Sequence, residues 1–87
     1  MTHHKLPEVA NRLARIEGHV KGIRKMIDAG KGYPEIMQQI TAVRAALDGA
    51  MGVMVDDLVE HVAQCTNARG KKVAMELKNA VSKYYRK

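Results

Sequence analysis

Seven aliphatic residues near the start of this 87-residue chain, Leu6, Val9, Leu13, Ile16, Val20, Ile23 and Ile27, recur at alternating spacings of three and four. That heptad seam cannot serve a β-strand, whose faces alternate every second residue. It specifies one amphipathic helix that buries a single stripe. Pro7 suits a first helical turn, where its missing N–H costs nothing. Gly30 follows the last seam residue and can take the left-handed conformation that stops a helix. The spacing therefore predicts a first helix over residues 7–29.

After Gly30-Lys31-Gly32-Tyr33, Pro34 opens a second stripe: Ile36, Ile40, Val43, Leu47, Met51, Met54, Leu58 and Val62. It predicts a helix over residues 34–66, roughly 50 Å long at 1.5 Å per residue. Asn67 through Gly70 interrupt the pattern, and Val73, Leu77, Val81 and Tyr84 mark a short third helix running to the C-terminus. Apolar burial must come from aliphatic side chains and six Met, because the chain has no Phe, no Trp and only Tyr33, Tyr84 and Tyr85. The expected fold is all-α. Residues 1–87 form one domain in which a short connector folds helices 1 and 2 into an antiparallel hairpin. Two helices cannot enclose their own stripes, so a two-fold pairing of hairpins into a four-helix bundle is expected.

No apolar run reaches the roughly 18 residues of a membrane span. The start, Met1-Thr2-His3-His4-Lys5, lacks the apolar segment of a secretory signal. A single cysteine, Cys65, rules out an intrachain disulfide framework and suits a reducing compartment. The expectation is a cytoplasmic protein with no membrane partner. An enzyme is not expected: there is no Ser/His/Asp set, no phosphate-cradling Gly loop and no acid pair placed in a cleft. Asp56, Asp57 and Glu60 project to the outward side of helix 2, where solvation is the ordinary explanation.

The net charge of +6 is segregated: residues 1–32 carry +4, residues 33–66 carry −4 and residues 67–87 carry +6. Such sidedness implies a polyanionic partner. Projection of helix 1 at 100° per residue sorts its charges into two flanks. On one, Glu17–Lys21 and Arg24–Asp28 are expected to pair at i,i+4. On the other lie Arg12, Arg15 and His19, with Glu8 the one nearby acid. Such a row can meet phosphates or base edges, and with so few aromatic platforms for single strands the expected partner is double-stranded DNA. The basic tail (Arg69, Lys71, Lys72, Lys78, Lys83, Arg86 and Lys87) reads as solvated.

His61 and Cys65 are four apart and share a helical face directed toward the apolar stripe. Neutral imidazole with thiolate suits a transition-metal ion, Cu(I), Ni or Zn. The antiparallel hairpin would bring His3 or His4 alongside to complete the set. Against this stands a plainer alternative, which the sequence favours: Cys65 as a small inward hydrophobe and His61 partly exposed.

The blocks Arg12-Leu13-Ala14-Arg15-Ile16-Glu17-Gly18-His19-Val20-Lys21-Gly22-Ile23 and Gln39-Ile40-Thr41-Ala42-Val43-Arg44-Ala45-Ala46-Leu47 strongly resemble the CsoR/RcnR/FrmR family of bacterial repressors. The resemblance spans essentially the whole chain. It implies a dimer of hairpins, usually paired into a tetramer, that holds operator DNA on a basic face without a helix-turn-helix. Arg12, Arg15 and His19 match the family's helix 1 contribution to that face, and Arg44 lies in its helix 2 motif. The family's sensor uses a Cys at the start of helix 2 with a His and a Cys or His further along. The aligned residues are Tyr33, Leu58 and Val62, none of them a thiolate or imidazole. The resemblance thus implies an effector-released repressor whose usual sensor site is lost or displaced. The alternative is a non-regulatory helical bundle that serves in interaction or metal binding.

Overall fold

The computed structural model describes residues 5–64 and 67–84, except for the side chain at position 63. The described residues form three α-helices and one closing 3₁₀ turn: α1 (Leu6–Asp28), α2 (Tyr33–Gln64), α3 (Ala68–Val81) and Ser82–Tyr84. The expected helices are all present, with shifted ends. α1 begins one residue before Pro7, which occupies its first turn. It ends in a Schellman closure: Gly30 N–H donates to the Ile27 carbonyl at 3.0 Å and Lys31 N–H to that of Met26 at 3.0 Å. Gly30 supplies the positive φ of 77° that this closure needs. Tyr33 belongs to α2 and not to the connector, because Gly32 already accepts the first helical bond, from Ile36 N–H at 3.2 Å.

Asn67 does more than interrupt the pattern. Its side chain accepts a hydrogen bond from Gly70 N–H at 3.0 Å and caps α3. The segment Ala68–Gly70, expected to be a break, is the first turn of that helix.

α1 and α2 pack as an antiparallel hairpin. On α1 one heptad row, Val9, Ile16 and Ile23, is buried; on α2 the matching row is Ile36, Val43 and Ala50. Ile16, Ile23, Ile36 and Val43 form the central cluster, with Met26 and Ala46 packed against it. Continuing the α2 row by seven places Asp57, which is only 4% exposed. The outward, solvated placement is therefore corrected for Asp57 and for the half-buried Asp56, while Glu60 is exposed as expected. Asp57 Oδ2 accepts the Lys5 backbone N–H at 3.3 Å, Glu60 pairs with Lys5 Nζ at 3.4 Å, and Asp56 pairs with Lys78 Nζ at 2.9 Å. Asp57 thus sits against the positive end of α1, where a carboxylate is favoured. Lys78, read as part of a solvated tail, ties α3 to α2.

The other apolar rows lie open. Leu6, Leu13, Val20 and Ile27 on α1, with Ile40, Leu47, Met51, Met54 and Leu58 on α2, are each 42–57% exposed. The α3 stripe also departs from expectation. Ala74 is its buried contact, while Val73, Leu77 and Tyr84 are exposed, because α3 turns a short side chain inward in place of its longer apolar ones. Among the described residues no helix is long and apolar enough to cross a membrane.

Candidate nucleic-acid interface

The basic flank of α1 lies beyond the buried row, on the side away from the open apolar row. Arg12, Arg15 and His19, joined by Ile16 and by Ala46 of α2, line one shallow depression. Seven residues separate Arg12 from His19, so the three side chains extend over roughly 10 Å of helix. The sequence expectation that they form one row holds in the structure.

Each is held differently. Arg12 Nε donates to Glu8 Oε2 at 3.0 Å. Its guanidinium lies over Gly49 of α2, where an added Cβ would stand 3.4 Å from Nη1. His19 Nε2 meets Gln39 Oε1 at 2.7 Å, across the two helices. Arg15 is exposed, and no ion pair is seen for it among the described residues. Gln39 was not singled out by sequence reasoning, although it opens the second motif block. Seven-residue periodicity would have placed it on the α1-facing side, beside Ala46.

The charge pairing expected along α1 is corrected. Neither Glu17–Lys21 nor Arg24–Asp28 forms an ion pair among the described residues, and Glu8–Arg12 does. Lys21, Arg24, Lys25 and Asp28 instead ring a separate depression. Exposed i,i+4 pairs are worth only tenths of a kcal/mol, about 0.3–0.5, too little to fix long side chains against their rotamer entropy.

Arg44 is not brought to the Arg12–Arg15–His19 depression within one chain. It lines another, with Thr41, Ala45 and Asp48. On α2 it shares a heptad row with Met37, Met51 and Leu58, on the side of the open apolar surface.

The sensor positions aligned with the family are now placed. Tyr33 is 79% exposed at the start of α2, and Leu58 and Val62 are exposed as well. His61 is half-buried in the last turns of α2. Cys65, His3 and His4 lie outside the described residues. Among the described residues no group of three or more His, Cys, Asp and Glu is arranged to hold a metal ion. Lys5, the first described residue, is docked on Asp57 and Glu60 of α2.

The family model for metal-sensitive transcriptional repressors matches residues 5–83. The copper-sensing transcriptional repressor CsoR of Bacillus subtilis is 37% identical over 62% of this chain and 54% of its own length. The copper-sensing transcriptional repressor RicR of Mycobacterium tuberculosis is 41% identical over 64% of this chain and 55% of its own. CsoR of Mycobacterium ulcerans is 33% identical over 82% of this chain and 62% of its own. The chain thus spans little more than half the length of the first two relatives. No solved structure matches it significantly. A basic helical hairpin with both motif blocks, matched from its first described turn to its last, belongs to the family of metal-sensitive transcriptional repressors, which are not enzymes.

Proposed function

We propose that this chain is a single-domain repressor that binds double-stranded operator DNA as a two-fold pair of hairpins, itself able to double into a tetramer. The observation that carries the reading is the gathering of Arg12, Arg15 and His19 around one depression, on a flank separate from the open apolar rows. A second copy covering those rows leaves the basic flank available. Arg44, at the edge of the apolar surface, would join the DNA face from the assembled pair and not from its own α1.

Salt dependence tests it. Affinity for a duplex carrying the promoter region of its own gene should fall steeply with salt, as phosphate contacts release counterions. Arg15→Ala should weaken binding severalfold and reduce the slope of log affinity against log salt by about 1. Indifference to both salt and this substitution would overturn the proposal.

For effector control, His61, Cys65 and His4 would hold the metal ion. A thiolate with imidazoles fits Cu(I), Ni or Zn, and the docking of Lys5 beside the end of α2 supports the set. The metal would supply the signal that releases DNA. Titrating the reduced protein with each ion, while following operator affinity and Cys65 thiol reactivity together, checks this. Tight DNA binding that no metal relieves would favour a second reading, motivated by Tyr33, Leu58 and Val62 at the family's sensor positions: a bundle that kept the scaffold without the switch.

A further inference from the structure

The bond between His19 Nε2 and Gln39 Oε1, 2.7 Å long, stands at the margin of the basic depression. An amide oxygen has no proton to give, so Nε2 is the donor and carries hydrogen whatever the charge of the ring. The other ring nitrogen, Nδ1, therefore decides what His19 offers a ligand. On a neutral ring Nδ1 is an acceptor, and it opposes the acceptor-only oxygens of a phosphodiester. On the imidazolium it is a donor. Protonation leaves the Gln39 bond in place, adding a positive charge and a second N–H.

The charged neighbours are few. From α1 the depression receives Arg12 and Arg15, and from α2 only Ala46 lines it, beside the neutral amide of Gln39. No described residue of α3 lines it, and among the described residues no carboxylate does; Glu8 of α1 is engaged by Arg12 Nε. A bound phosphate, an anion within hydrogen-bond reach, favours the protonated ring over the neutral one.

We propose that Gln39 is a positioning residue of this face, holding His19 so that it meets a DNA phosphate through Nδ1–H, with one proton taken up from solvent for each His19 engaged. The inference rests on the DNA-binding reading of the same face and adds a residue and a proton linkage to it.

The experiment is a fluorescence-anisotropy titration of the full chain with the promoter duplex, at constant ionic strength, from about pH 8 to about pH 5.5, the range over which imidazoles ordinarily change charge. Affinity should rise as pH falls, with log affinity against pH approaching a slope of about one per engaged His19. His19→Gln, whose amide donates at any pH, should flatten the profile. Gln39→Ala should weaken binding at low pH by roughly threefold to tenfold, the scale of one lost hydrogen bond. A merely structural Gln39 would leave the ring tautomer alone, so ¹⁵N NMR of His19 in the free protein at pH 8 supplies the deciding signature. The proton should sit on Nε2 in the parent and distribute over both nitrogens in Gln39→Ala.

Salt-dependent binding with a flat pH profile overturns this inference and leaves the DNA reading standing. So does a profile that survives in His19→Gln. Affinity rising toward pH 8 would mean that Nδ1 accepts from a base amine, and overturns it too. Absence of DNA binding at every pH overturns both.

Discussion

Leu47 lies near the middle of α2 on the open apolar surface, and its replacement by Lys tests whether a second hairpin covers that surface. Burying a whole aliphatic side chain is worth about 1.5–3 kcal/mol. The nine open residues of α1 and α2 are 42–57% exposed, so each retains roughly 1 kcal/mol to gain. That amounts to roughly 9 kcal/mol per protomer and twice as much for a pair, above the association cost of about 4–15 kcal/mol. The net of roughly 3–14 kcal/mol centres near the roughly 8 kcal/mol of a micromolar Kd, so dimerisation is expected in the micromolar range. Leu47→Lys forfeits roughly 1 kcal/mol in each protomer and sets an ammonium group from each near the other. Together these cost about 3–4 kcal/mol, which weakens the dimer Kd roughly 10²–10³-fold. Sedimentation equilibrium over about 1–100 µM reads that change directly. Far-UV circular dichroism at low concentration should show the helices retained, since Leu47 is outside the buried rows. A parent chain that stays monomeric across the whole range refutes the reasoning, as does a Leu47→Lys chain that assembles as tightly as the parent.

Asp57→Ala should destabilise the fold by about 1–3 kcal/mol, because it leaves the Lys5 N–H without its buried acceptor; urea unfolding measures it, and a loss within error of zero would refute the anchoring role. Gly30→Ala should cost about 1–2 kcal/mol, since a Cβ is strained at the φ of 77° there, visible as a lowered Tm. Lys78→Ala should cost about 1 kcal/mol or less at the Asp56 pair. Its clearer signature is faster amide exchange confined to α3, and unchanged α3 exchange would count against the tether.

Much of the hairpin was legible because its cause is local: a seven-residue repeat, Pro at helix starts and Gly30 at a stop. The basic row was legible for the same reason, since Arg12, Arg15 and His19 fall on one side of any helix built from that segment. Asp57 was not. Its charge argued for the surface, and although it stands seven beyond Ala50, only the register of α1 against α2 reveals that this position meets the Lys5 N–H. Gln39 was missed because its role exists only across two helices. The α3 stripe failed for a related reason. Periodicity identified an apolar face, but the closeness of approach that Ala74 permits decided which residues were covered. The sensor question divides likewise: composition at Tyr33, Leu58 and Val62 is plain in the sequence, whereas the docking of Lys5 on Asp57 and Glu60 needs the hairpin.

The two ends of the hairpin also dictate how it can assemble. The Lys5–Asp57 contact joins residues 52 apart, a separation that would ordinarily carry a large loop-closure penalty and slow folding. Here the Gly30 closure leaves only a four-residue turn to form first. The rows Val9, Ile16, Ile23 and Ile36, Val43, Ala50 then pair outward from it, each heptad adding beside one already in place. By the time Asp57 meets Lys5, almost no free loop remains to be closed. The buried carboxylate thus fastens the hairpin at the end opposite its turn, the end that also carries His61.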